Sequence, residues 1–404
     1  MLCAAIASRV IVSLVHLDIG VQWVSGVPGT GIWNDFTEIY LHQVKYLSQG
    51  YMLYRDIDTQ YPPLFLYSIL PFYDLGGASA AWIPIALADA LTAPLVYLIA
   101  RRFSTEKVAL VAGLAYAFSP VALVNEGYIW LSSQPMTLFL LISLFLLRGG
   151  RPLLSGGALA IAVLFNQEAI FVLPVYLVFI AKSRASLFKS GGFFAFTLFG
   201  GLSPFLLQAP KAVLIHLAIW LPFNIGPSEP GRLPVFTPSS MVSIGQPCEY
   251  TVVPHVYSGT ICGEIANFKA YAWFLQISRL DAMAAFIAPI LFVLFGAGLI
   301  AVRRSPRILE MASAYSIIGG LFIFSALVHT SFAYYFVPVY ALILASVTTR
   351  RSLIVGLAAT TLGFFAGEGP VQFIIPIACI FAFTLIQDGS LRSSATSPGN
   401  PDTN

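Results

Sequence analysis

The sequence predicts an all-α polytopic membrane protein, and three observations carry that prediction. Apolar runs near twenty residues long recur almost end to end, only 10% of the 404 residues are charged, and the basic residues gather in short clusters between the runs. An average soluble protein carries roughly 25% charged residues. With 58% hydrophobic residues, this chain holds more apolar surface than a soluble core absorbs. A bilayer takes up such runs, because a helix needs about 20 mainly apolar residues to cross its ~30 Å hydrocarbon core.

The runs lie at about 2–24, 80–100, 107–125, 131–147, 152–166, 168–181, 189–209, 282–302, 309–328, 332–349, 352–368 and 370–387, which makes about 12 transmembrane helices, with 11–13 tolerated. The first run, Leu2 to Val24, exceeds the apolar part of a signal peptide and carries Arg9 inside it, so it is expected to be an uncleaved first helix. Between the runs lie Arg101, Arg102 and Lys107; Arg148 and Arg151; Lys182, Arg184 and Lys189; Arg303, Arg304 and Arg307; and Arg350 and Arg351. With an inside N-terminus every cluster falls on the cytoplasmic side, as the positive-inside rule expects. That agreement requires the apolar stretch Pro62 to Leu75 not to span. It is short and holds Pro62, Pro63 and Pro71, so a re-entrant or interfacial element is expected there.

Residues 1–387 then form one transmembrane domain in the cell membrane, with both termini cytoplasmic and two long segments outside. The first outer loop is 25–79 and the second is 210–281. Within the second, Lys211 to Ile225 and Asn267 to Leu280 mix aromatics with Lys, His and Arg, a composition suited to helices lying in the interface plane. The proline-rich stretch between them is expected to be an ordered or substrate-gated loop. Residues 388–404 are polar and expected to be a disordered cytoplasmic tail. No internal repeat is visible. A net charge of +3, with its basic residues in membrane-flanking clusters, argues against nucleic acid as a partner.

Cys3 and Cys379 fall in apolar runs as packing residues, whereas Cys248 and Cys262 share the polar second loop and are candidates for a disulfide or for two free thiols. No His or Cys cluster has metal-ligand spacing. A divalent cation held by Asp35 with Asp58 stays open.

The first outer loop runs NDFTEIYLHQVKYLSQGYMLYRDIDTQYPPLFLYSILPFY from Asn34. Asp35 stands out, because a carboxylate at the lipid boundary beside Trp33 and Phe36 is costly without a task or a partner. Glu38 and Asp56 are as well explained by an ordinary hydrated loop. Glu126 and Glu168 head two further outer turns, and a Glu at a helix start is commonly a cap or dipole partner. His16 and Asp18 stand near the outer end of the first run, and Arg9 and Asp89 lie within spans, where they are expected to face protein.

In this loop the sequence resembles the membrane glycosyltransferases of the C-type fold that use polyprenyl-phosphate sugars, with archaeal and bacterial mannosyltransferase-like members nearest in character. The resemblance rests on the Asp just past the first span, the G-x-x-x-Y-R-D stretch from Gly50 to Asp56, and Y-P-P-L-F-L-Y from Tyr61 to Tyr67. It continues through Arg101-Arg102, Ser119-Pro120, Asn125 to Gln134, Arg148 to Arg151 and Asn166 to Pro174, covering about the first 180 residues. It implies inverting transfer of a hexose, mannose foremost, from a polyprenyl- or dolichyl-phosphate donor to a hydroxyl of a glycan, lipid or protein acceptor on the extracytoplasmic face. Asp35 matches the family's catalytic base, and Asp56 and Asp58 compete for its second acidic position. Asn125 and Glu126 stand where relatives present polar residues to sugar or acceptor. Near Asn166-Gln167-Glu168 many relatives carry a basic residue; this chain has none.

The residue types suit that chemistry on their own account. A sugar hydroxyl is a weak nucleophile, and a positioned carboxylate that takes its proton contributes about 10²–10⁴-fold. The departing phosphate gathers negative charge and calls for cations or amides, for which Arg55, Arg232, His255, Lys269 and His329 are the candidates. His329 precedes the Tyr334/Tyr335 pair in an H-x-x-x-x-Y-Y-x-x-P pattern found in C-type relatives, and the same residues also suit an aromatic belt. Substrate contacts are therefore expected from Arg55, Asp58, Tyr61, Asn125, Glu126, Arg232, His329 and Tyr335.

A transporter or flippase of a lipid-linked or small-molecule substrate is the main rival, and a non-catalytic scaffold or an oligosaccharide ligase a third reading. Transporters tend towards repeated halves and ionisable residues at the midplane, whereas the polar residues here crowd one boundary. The charge pattern sets an expected outcome for topology. Single cysteines at Ser104 and Ser305 stay shielded from an impermeant thiol reagent in intact cells and one at Ser228 labels; the reverse pattern would invert the catalytic face.

Overall fold

The computed structural model describes residues 1–19, 36, 40–57, 59, 61–127, 130–181, 183–210, 213, 309–327, 333–365, 375, 376, 378, 379 and 382. Among these, the chain is helical, and its β structure is the isolated bridge between Leu53 and Ile57. In chain order the helices are α1 (Leu2–Ile19), α2 (Leu41–Ser48), α3 (Pro63–Gly76), α4 (Ala78–Ala81), α5 (Ile83–Ala100), α6 (Glu106–Ala117), α7 (Pro120–Gly127), α8 (Ser133–Arg148) and α9 (Pro152–Phe165). After a 3-10 turn at Gln167–Val172 come α10 (Leu173–Ile180), α11 (Arg184–Gln208), α12 (Leu309–Leu327), a second 3-10 turn at Ala333–Phe336, α13 (Val337–Ala345) and α14 (Arg350–Phe365).

Three stretches of this described chain are long and apolar enough to cross a membrane: Ala78–Ala100, Glu106–Leu123 and Arg184–Gln208. Shorter apolar helices cover Leu2–Ser13, Ser133–Arg148, Pro152–Phe165 and Gln167–Ile180. The predicted run at 282–302, nearly all of the second long segment and the tail lie outside the described residues.

Helix boundaries follow local chemistry. Pro63, Pro84, Pro152, Pro174 and Pro338 sit in first turns, where a missing N–H costs nothing. Pro62 precedes α3, Pro63 is its first residue and Pro71 lies inside it, so the stretch expected to be re-entrant or interfacial is a helix of 14 residues. Thr105 caps α6 by accepting from the Val108 amide, and Ser183 caps α11 by accepting from Ser186. Gly150, at φ +71°, closes α8 in a left-handed conformation, with the Arg151 amide returning to the Leu146 carbonyl at 3.0 Å.

Where helices meet, small and hydroxylated residues carry the contact. A Cβ on Gly156 would strike the Ser190 carbonyl, and one on Gly157 would come within 2.6 Å of the Phe193 ring, so α9 and α11 touch backbone to backbone. Beside them Ser143 donates to the Ser155 carbonyl at 2.9 Å, Ser155 returns a bond to the Ser143 carbonyl at 2.8 Å, and the Tyr176 hydroxyl bonds both Ser155 and Ser190. This chain of hydroxyls sews α8, α9, α10 and α11 together. Cys379 is buried, as a packing residue should be, but Cys3 lies exposed on α1.

Two ion pairs join distant segments. Arg9 of α1 pairs with Asp89 of α5, both essentially inaccessible at 1% and 0% exposure. Tyr116 of α6 donates to the other Asp89 oxygen at 2.7 Å, and Arg9 also donates to the Ala117 carbonyl. Arg148, at the end of α8, forks onto Glu310 in the first turn of α12 and lies 4.5 Å over the Phe103 ring, while Arg102 lies 4.2 Å over Phe145. The clusters around Arg102 and Arg148 and the start of α12 thus share one end of the molecule, here termed the basic end.

Removing one partner of a buried ion pair costs about 3–5 kcal/mol, whereas replacing both by apolar groups is often close to neutral. Asp89→Leu should therefore destabilise the detergent-solubilised protein strongly in a denaturant titration, and Arg9→Met combined with Asp89→Leu should recover most of the loss. A double variant as weak as the single one would contradict this assignment.

Candidate functional site

At the end opposite the basic clusters, the first loop is folded by its own aromatics. α2 buries Gln43, Val44 and Leu47, and the chain then turns at Gly50 (φ +91°), a conformation costly for any residue with a Cβ. Tyr54, itself at φ +66°, donates its hydroxyl to the Tyr61 carbonyl at 2.7 Å and sets its ring edge-on against Phe205 of α11. Tyr61 and Phe65 both meet the Tyr40 ring edge-on, at 4.9 and 4.7 Å. Thr59 donates to Gln43 at 3.3 Å and accepts from the Tyr61 amide at 3.2 Å. The G-x-x-x-Y-R-D and Y-P-P elements are thus two sides of one knot seated on α3 and α11.

Arg55 projects from that knot with its side chain 48% exposed. Its Nε and Nη2 bond the Asp56 carboxylate, and Nη1 donates to Gln208 Oε1, at the end of α11, at 2.8 Å. Asp56 also accepts from the Met52 amide at 2.9 Å. The bonded guanidinium holds the Asp56 carboxyl below the usual carboxylate range, while burial pushes the Tyr54 phenol up. Asp56 therefore accepts from Arg55 and orients it, and the Arg55 side chain keeps exposed surface.

A second wall stands beside the knot. Trp130, between α7 and α8, adopts φ +53°, a left-handed conformation rare for a bulky residue. Phe36 meets its ring edge-on at 5.1 Å, Trp82 stacks at 6.0 Å, and its indole N–H donates to Ser13 of α1 at 3.2 Å. After Leu131 come Ser132, Ser133 and Gln134, all buried at the start of α8. Asn166, which caps the 3-10 turn by accepting from the Glu168 amide at 3.0 Å, donates from Nδ2 to Ser132 Oγ at 3.1 Å and lies 3.5 Å from Glu168 Oε1. Among the described residues, Ser133 Oγ, both amide atoms of Gln134 and Glu168 Oε2 are buried without a hydrogen-bond partner.

The expected site residues divide accordingly. Arg55 stands on the rim of the knot and Tyr61 is packed inside it. Asn125 and Glu126 fall in the last turns of α7, and buried Tyr335 lies in the 3-10 turn that packs against α7, so that these two predicted elements do meet. Asp35, Asp58, Arg232, His255, Lys269, His329, Cys248 and Cys262 lie outside the described residues. Among the described residues no group of three or more His, Cys, Asp or Glu gathers to hold a metal.

The polar wall was the part that sequence reasoning underrated. Glu168 looks like a helix cap, yet Asn166 makes the cap and the Glu168 carboxylate is buried instead. The available signal was an ionisable residue opening an apolar run, which is a functional hypothesis by default. Nothing in the sequence announces the left-handed Trp130.

No curated protein matches the chain as a relative. Residues 60–208, which run from the Tyr61 side of the knot through the polar wall to the end of α11, match the family model of the dolichyl-phosphate-mannose-protein mannosyltransferases, and over that stretch the chain is similar to the membrane glycosyltransferases of this kind.

Proposed function

We propose that this protein is a multi-pass hexosyltransferase of about 12 spans, acting on the extracytoplasmic face with Asp35 as base. Mannose carried on a polyprenyl or dolichyl phosphate is the donor that the family match supports best. The observation that supports this reading is the seat of Phe36, the residue after Asp35 in the chain, against Trp130 at the head of the buried polar wall.

In this reading the acceptor hydroxyl gives its proton to the Asp35 carboxylate as its oxygen bonds to the sugar C1. The C1–O bond to phosphate breaks, the lipid phosphate leaves with the electron pair, and the configuration at C1 inverts. Arg55, held by Asp56 and Gln208, offers a fixed guanidinium to the charge that builds on the departing phosphate. His329 and Arg232 are proposed for the same charge, Asp58, Tyr61, Asn125, Glu126 and Tyr335 for substrate contacts, and Cys248 with Cys262 for a bridge in the second loop.

The test is Asp35→Asn in purified protein. Asparagine keeps the size but cannot take up a proton at neutral pH, so turnover of a polyprenyl-phosphate hexose should fall by about 10²-fold or more while donor binding stays close to parental. Glu38→Gln is the control and should be mild. Near-parental turnover by Asp35→Asn would remove Asp35 as the base and leave Asp58 as the leading carboxylate.

A further inference from the structure

The buried polar wall has more hydrogen-bonding capacity than its own residues use. Glu168 is 1% exposed and engages Asn166 through one oxygen only, and Gln134 is 0% exposed with its amide oxygen and nitrogen both unpartnered among the described residues. Ser133, beside Gln134 in the same turn, leaves its hydroxyl unpartnered as well. Buried polar groups in this state cost free energy unless something completes them.

The mixture of groups restricts what that something is. A lipid phosphate offers only acceptors and would leave the Gln134 amide oxygen without a donor. A multivalent cation could take oxygens of Glu168, Gln134 and Ser133 but would leave the Gln134 amide N–H groups without an acceptor. A sugar hydroxyl both donates and accepts, and so satisfies a carboxylate, an amide and a serine hydroxyl together. Position agrees, since Ser132 is two residues beyond Trp130, on which Phe36 rests.

We infer that Ser132, Ser133, Gln134, Asn166 and Glu168 form the subsite that receives the hydroxyl groups of the donor hexose. The inference rests on the proposed function and deepens it. The family match assigns no residue to sugar recognition, and the Asn-Gln-Glu turn departs from the basic residue many relatives carry there. Glu168 and Gln134 become determinants of which sugar is accepted, because a site built to bond a hydroxyl rejects an analogue that lacks it.

The experiment compares equilibrium binding to full-length protein in nanodiscs of two sets of probes. One set is polyprenyl phosphates carrying mannose, glucose or galactose; the other is bare polyprenyl phosphate. Glu168→Gln and Gln134→Met keep side-chain volume and alter the groups that meet hydroxyls. Each should weaken the preferred glycosylated lipid by about tenfold, as expected for a lost buried hydrogen bond, and leave the bare lipid unchanged. A deoxy analogue of the preferred sugar that binds the parent more weakly should lose nothing further in Glu168→Gln.

Equal weakening of glycosylated and bare lipids would overturn the subsite in favour of a structural role. Unchanged binding of both would overturn it in favour of water filling the wall, and unchanged donor binding with a raised acceptor KM would move it to the acceptor. A parent protein that binds glycosylated and bare lipids alike would overturn the subsite and the donor reading together, whereas selectivity retained in both variants would overturn the subsite alone.

Discussion

Buried away from water, the Arg9 guanidinium can remain in the helical core only by reaching a carboxylate, and the one it reaches is Asp89 on α5. That obligation decides where α1 lies. With Tyr116 on the second Asp89 oxygen and the Ala117 carbonyl taking another guanidinium N–H, α1, α5 and α6 are locked at one level. Four residues further along α1, Ser13 takes the indole N–H of Trp130, so the orientation fixed by the ion pair is passed to the loop end. Trp130 then carries Phe36, and with it the start of the first loop. The polar wall, the aromatic seat and the residue after Asp35 all depend on a charge that the helix could not otherwise carry.

The two ends of the bundle use opposite devices. At the basic end, arginines lie over the Phe103 and Phe145 rings and Arg148 forks onto Glu310, so cations are covered by aromatic faces and paired across α8 and α12. At the loop end, tyrosine and tryptophan rings pack around amides and hydroxyls, and the exposed cation Arg55 is held by Asp56 and Gln208 rather than neutralised in the core. Between them the glycines of α9 and the Ser143–Ser155–Tyr176–Ser190 chain bring helices to backbone contact. Such contact makes rigid walls, as the proposed transfer of a lipid-bound sugar to a weak nucleophile would require.

The sequence made some of this legible and left other parts hidden, for physical reasons. Apolar runs over 80–100, 107–125, 131–147, 152–166 and 189–209 have counterparts in α5 with α4, α6 with α7, α8, α9 and α11, because a run that needs lipid or core needs no partner to be recognised. Arg9 and Asp89 could be marked as inward-facing, but their pairing is a matter of helix rotation that no spacing reveals. Pro62 and Pro63 signal a helix start in α3, since a first turn tolerates a missing N–H, whereas the place of Pro71 inside the same helix is not legible from the proline itself. Arg55 could be named as a cation for phosphate, but its clasp on Gln208, 153 residues away in the chain, could not. Glu168 and Gln134 are obscured by the apolar residues around them, although polar side chains in that setting carry a cost that marks them out.

Mass spectrometry of glycans and lipid-linked sugars from a strain lacking the protein, set beside its parent, tests the proposed movement of a hexose from a lipid phosphate most directly. In the strain lacking the protein, one glycan, lipid or protein should lose a single hexose while the polyprenyl-phosphate hexose accumulates. Identical profiles in the two strains, or the same lipid-linked sugar held on the wrong side of the membrane with no glycan shortened for want of a transferase, would contradict it.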